Sequence, residues 1–204
     1  MSDREAILQR VRGAVRHEVD HPGAHPAPSL AGGFERFATR LRGVGGEAHG
    51  PVPSWQVGEV VTGVVNLRAE GGRVFAAESA SEVLGPGVWV VPPADLAPIG
   101  FEDVAVAILR GTIGVAENGA VALEGRHAPQ RSLPFLCRHL ILLLPSTGIH
   151  PDLHSAQAAL PADALDHHHL TWISGPSKTA DIEQTLVYGA HGPLTLDLIA
   201  YTPA

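Results

Sequence analysis

Apolar positions change rhythm about a third of the way along the chain. Over residues 2–19, Ile7, Val11, Val15 and Val19 recur every four positions with Leu8 and Ala14 beside them, and Ser2 with Glu5 fits a capping box. That spacing predicts an amphipathic helix able to pack on the body or on a second copy. Residues 21–33, rich in Pro, Gly, Ala and His, predict a flexible linker. A second helix is predicted over 34–41, with Phe34, Phe37, Ala38 and Leu41 on one face and Gly43, Gly45 and Gly46 closing it. A short strand near Glu47 and Ala48 follows, then helical spacing over 51–68. From Arg73 the apolar residues come in solid runs at 74–77, 87–91, 104–109 and 140–144. Continuous runs mark strands covered on both faces, the habit of parallel sheets. Residues 113–116 and 120–123 predict a hairpin across Asn118-Gly119. A helix is expected at 150–160 and strands at 170–173 and 194–201, the last alternating like a strand near an edge. The sum is a three-layer α/β domain with a mainly parallel sheet over residues 34–204, preceded by a helix and linker over 1–33.

Composition narrows the classes. With 45% hydrophobic and 17% charged residues the chain is globular rather than disordered. A formal charge of -7 with no basic cluster argues against nucleic acid, whose phosphates are met by Lys and Arg. The single cysteine, Cys137, excludes an intrachain disulfide, and an iron–sulfur cluster needs about four thiolates. In the context PFLCRHL it reads as a small buried hydrophobe. No apolar run is long enough to span a membrane and the first residues are charged, so a cytoplasmic protein is expected.

The densest chemistry lies at 175–193, GPSKTADIEQTLVYGAHGP. Gly175-Pro176 stops a strand, and Ser177, Lys178, Thr179, Asp181, Glu183 and His191 follow. Ile182 and Leu186, four apart, predict a short helix beginning near Thr179. Its free N–H groups, with Lys178 and the two hydroxyls, would cradle an anion. Helix capping by Ser and Thr and a dipole role for Asp181 explain the same residues without a ligand. On a helix Asp181 and Glu183 face different ways and make no carboxylate dyad. His191, in a tight turn, suits either acid/base work on a substrate or a turn-stabilising hydrogen bond. Arg110, at a strand end, could add charge to the same pocket or stay solvated. His150 and His154 fall four apart on the expected helix, and His167, His168 and His169 run together. With no glutamate beside either helical histidine and alternating faces on a strand, no metal site is expected.

These residues carry a resemblance. GPSKTADIEQTLVYGAHGP closely resembles the C-terminal signature of the LUD-domain family, the lactate-utilization protein C group, where Gly-Pro-Ser-Arg/Lys-Thr-Ala-Asp-Ile-Glu precedes Gly-x-His-Gly-Pro. Residues 114–119, GVAENG, look like that family's second motif, with Asn118 where threonine is usual. The likeness covers about residues 70–201. It implies the fold of ribose-phosphate isomerases, glucosamine-phosphate deaminases and CoA transferases. It also implies an accessory subunit of an L-lactate oxidation system acting with iron–sulfur partner subunits. A small-anion site would then be built from Ser177, Lys178, Thr179, Glu183 and Gly192, with Asn118 and Gly119 nearby. Glu117-Asn118-Gly119 also looks like part of the Ser-Glu-Asn-Gly signature of class I CoA transferases, whose glutamate is a nucleophile. That likeness implies the alternative, a stand-alone isomerase, transferase or cyclo-ligase using Glu117 or Asp181, with His191 as acid/base.

Overall fold

Strands written as solid apolar runs need cover on both faces, and the chain supplies it from two sides. The computed structural model describes residues 3–14, 32–93, 95–127, 130–164, 169–180 and 184–203. In order these form α1 (Asp3–Ala14), α2 (Phe34–Gly43), β1 (Glu47–Pro53), α3 (Val57–Arg68), β2 (Arg73–Ala76), α4 (Glu78–Leu84), β3 (Val104–Arg110), β4 (Ile113–Val115) and β5 (Ala120–Glu124). Then come α5 (Leu133–Leu136), β6 (His139–Pro145), β7 (Ile149–His150), α6 (Leu153–Ala158), β8 (Leu170–Ile173), β9 (Lys178–Thr179), β10 (Val187–Tyr188) and β11 (Thr195–Thr202).

The central sheet has the order β1-β11-β6-β3-β2, and every neighbouring pair is parallel. Leu140, Ile141, Leu142, Leu143 and Leu144 of its middle strand are wholly buried, because both faces are packed. Helices α3 and α4 lie against β3 and β11. On the opposite side Leu144 and Phe37 of α2 close on Gly114 of β4. That strand belongs to a second sheet, β7-β4-β5-β8, whose Ile113, Val115, Ala120 and Ala122 form a small core with Ala156 of α6. The three-layer, mainly parallel architecture is the one the hydrophobic pattern predicts. No helix among the described residues is long and apolar enough to cross a membrane.

Several elements differ from expectation. None of the residues of α1 is buried. The linker with His21 and His25 lies outside the described residues, as do His167 and His168. Residues 87–91 form no strand; Val90 makes a single bridge to Phe75, and Val88, Val90 and Val91 stay exposed. Residues 51–53 belong to β1, and α3 starts only at Val57. His150 sits in β7 paired with Val115, and α6 begins at Leu153 behind an Asp152 cap. The two histidines therefore do not share a helical face, and no group of three or more potential metal ligands gathers among the described residues.

As its alternation suggests, β11 lies near an edge, one strand in, between β1 and β6. Its polar Asp197 is 3% exposed and is held by His49 Nε2 at 3.1 Å and Arg68 Nε at 3.3 Å. A buried carboxylate with two such partners tolerates a central position that an unpaired one would not.

Candidate functional site

Residues 178–179 and 187–188 are strands and 184–186 are not helical; the rest of the helix expected near Thr179 falls on 181–183, outside the described residues. Lys178 and Thr179 pair with Tyr188 and Val187 in a two-stranded antiparallel ribbon. The Ser177 N–H donates to Pro193 O and the Gly189 N–H to Ser177 O, both at 2.9 Å. Thr179 is thus a strand residue paired with Val187. Lys178 Nζ donates to the Val44 carbonyl at 2.5 Å and ties the ribbon to the turn between α2 and β1. Gly175, at φ +77°, packs where a Cβ would meet Val44 O at 2.8 Å. Asp181 and Glu183 lie outside the described residues.

The fold does bring the two ends of the signature together. Residues 173–177 and 191–193 wall a cleft of about 250 Å3 at the amino ends of β6 and β11, closed by Phe135, Leu140 and Trp172. Ser177, His191 and Gly192 meet here, with the His191 N–H 3.4 Å from Ser177 Oγ. No lysine or arginine lines the cleft, and its walls are two aromatic rings, prolines and an isoleucine. Apolar walls with a few convergent polar groups are the usual form of a small-molecule site. Phe135 is 42% exposed and also borders a neighbouring groove with Leu136, Leu194 and His191. Trp172 and Phe135 are not among the site residues expected from the sequence; Trp172 stands just ahead of Gly175, and that adjacency was the available signal.

The 113–123 hairpin forms as predicted, but its turn is not the two-residue kind. Residues 116–119 make the loop, with the Gly119 N–H on Val115 O and only Gly119 at positive φ. Asn118 Oδ1 accepts the Ala120 N–H at 3.0 Å, and its carbonyl accepts the Ser174 hydroxyl at 2.8 Å, so the turn abuts the edge of the cleft. Glu117 points elsewhere: Oε2 accepts the Leu153 N–H at 3.2 Å, at the start of α6. Glu117→Ala is expected to lower stability by no more than about 1 kcal/mol, seen as a small drop in urea midpoint, since the bond is exposed and Asp152 still caps the helix. Arg110 lies at the carboxyl end of β3, the far end of the sheet from His191, and lines a different cleft. Burial pushes the Cys137 thiol up to about 12, so it is neither thiolate nor nucleophile at neutral pH.

The model of the LUD domain matches residues 100–201, half of the chain, and includes both loops of the cleft. The chain belongs to the LUD domain family. Among curated LUD relatives, Lactate utilization protein C of Geobacillus thermodenitrificans is 33% identical over 105 residues, 50% of this chain and 44% of that one. The protein of the same name from Oceanobacillus iheyensis is 27% identical over 135 residues, 64% of this chain and 58% of that one. The matched stretch thus spans about half the length of these relatives. The crystal structure of a DUF162 family protein from Deinococcus radiodurans has the same fold as this LUD chain, with TM-score 0.64 and 16% identity, over 82% of this chain and 94% of that one.

Proposed function

We propose that this LUD chain is an accessory subunit of an L-lactate utilization system, acting with iron–sulfur partner subunits that carry the electrons of lactate oxidation to pyruvate. The observation that carries this reading is the joining of the two signature loops into one cleft within the segment that the family shares. The relatives' name supports the pathway. Cys137 is the chain's one cysteine and its thiol is buried and protonated, so clusters would belong to partners. In this reading a small carboxylate enters the cleft, where Ser177 Oγ and the His191 imidazole take the anion-binding part expected of Lys178 and Thr179. Trp172 and Phe135 cover its apolar side. Glu117 is engaged outside the cleft, so the geometry lends the stand-alone transferase reading nothing.

The test is growth on L-lactate as sole carbon source by a strain lacking this gene, complemented with the wild type or His191→Ala. Wild type is expected to restore growth and His191→Ala to slow it at least about tenfold, because charge-assisted contacts to a carboxylate are the strong ones. Tagged wild-type chain isolated from lactate-grown cells is expected to bring near-stoichiometric iron with it. Unimpaired growth of the deletion strain would remove the pathway assignment.

A further inference from the structure

The carboxyl ends of β3, β6 and β11 open into a second cleft of about 410 Å3, bounded by the turn that precedes α3 and by α4. Open parallel sheets place ligands at this end of their strands, and the volume lies within the range of about 300–1,000 Å3 typical of small-molecule sites.

Three side chains there are left unexplained by folding. Trp55 keeps 77% of its surface exposed, although an indole gains much by burial. The Arg110 side chain is 31% exposed, yet its one ion pair among the described residues, with Glu82 at 3.7 Å, is too long for a hydrogen bond. Its guanidinium carries five donors in a fork that matches carboxylate or phosphate. Tyr201 is 4% exposed and lines the cleft, and its hydroxyl has no hydrogen-bond partner among the described residues.

The geometry points to a second ligand site at the carboxyl end of the central sheet, taking an anion carried on a flat ring. Arg110 receives the carboxylate or phosphate, the Tyr201 hydroxyl donates to it, and the exposed face of Trp55 stacks on the ring. Glu82, whose side chain is 67% exposed, turns out to water as the anion replaces it beside Arg110. A neutral ring gains nothing from that exchange, so the site selects for charge. It lies at the opposite end of the strands from the His191 cleft and stands independently of the function proposed above.

The experiment titrates the full chain with benzoate and nicotinate as ring carboxylates and adenosine monophosphate as a ring phosphate, against acetate, inorganic phosphate and benzamide. Binding is read by calorimetry and by the rise in melting temperature that any native-state ligand produces. At least one ring-bearing anion is expected to bind saturably while acetate, inorganic phosphate and benzamide do not, and the one that binds separates a carboxylate source from a phosphate source. Trp55→Ala and Arg110→Gln are each expected to weaken that binding about tenfold or more, the loss of one charge-assisted or stacking contact. Both side chains sit outside the buried core, so the unliganded melting temperature of each variant should match the wild type. His191→Ala is expected to bind as the wild type does, which keeps this test separate from that of the other cleft. No binding by any ring-bearing anion at millimolar concentration, equal binding of benzamide, or binding that survives both substitutions would overturn the site.

Discussion

Replacing Gly119 by alanine is expected to lower the unfolding free energy by about 2–5 kcal/mol, from two sources that add. Gly119 holds φ at +73°, a left-handed conformation in which a Cβ crowds the following carbonyl, at about 1–2 kcal/mol. The added Cβ would also lie 2.8 Å from Leu41 N and 2.9 Å from Leu41 Cα, the backbone of α2, which cannot swing aside. Overpacking of that kind costs about 1–3 kcal/mol more. Gly71 separates the two contributions, since it holds φ at +82° with nothing within 4 Å of the place a methyl group would take. Gly71→Ala should therefore lose only the dihedral part. Urea unfolding of both variants measures the difference, and equal losses would mean that the hairpin loop does not press on α2 as described.

The second large effect is expected at Asp197. Asp197→Ala leaves Arg68 and His49 without their shared carboxylate under α3. Removing one member of a buried pair costs about 3–5 kcal/mol, but the Arg68 and His49 side chains are 31% and 36% exposed and regain water, so about 2–4 kcal/mol is expected. Burial by itself would raise the Asp197 carboxyl; the His49 hydrogen bond and the Arg68 charge outweigh it and hold the group below its ordinary value. A carboxyl depressed in the folded state stabilises fully above its unfolded pKa of about 3.9 and loses that contribution as pH falls through the folded value. His139 and His127 act earlier. Desolvation lowers both imidazoles, helped at His139 by Arg138 and Arg68 and opposed at His127 by Glu124. The unfolded chain therefore takes up these protons first, and stability begins to fall below about pH 6.5. Wild-type unfolding measured against pH should decline in two stages. Asp197→Asn should flatten the acid stage and leave the histidine stage in place; an unchanged acid stage would show that the pair does not hold the carboxyl.

Sequence pattern served best where burial alone decides. The runs at 104–109 and 140–144 predicted β3 and β6 nearly to the residue, because a strand covered on both faces has no polar position to mislead the eye. It served worst where tertiary partners reverse a local signal. Thr195 and Asp197 placed β11 near an edge, where it lies, but not the covering strand β1, since a reader of one strand cannot see Arg68 and His49 arriving from α3 and β1. Ile182 and Leu186 suggested a helix; Ile182 lies outside the described residues, while Leu186 is 51% exposed and sits beside the strand pair Thr179–Val187 rather than in a helix. Of the site, Ser177, His191 and Gly192 were legible as a cluster because the motif is local. Lys178, expected beside them, instead donates to Val44, 134 residues away along the chain, a contact no local motif shows.

The position of β11 also bears on how the protein is made. His49 and Asp197 are 148 residues apart, yet they are neighbours in the sheet, and β1 finds its sheet partner only in β11. A ribosome exposes β1 early and β11 after every other strand described, so throughout synthesis β1 has no ladder and β6 presents a bare edge. Such edges are the places where chains pair with the wrong neighbour. The nascent domain therefore joins β1 to the rest of the sheet last, in one late insertion that closes two ladders together.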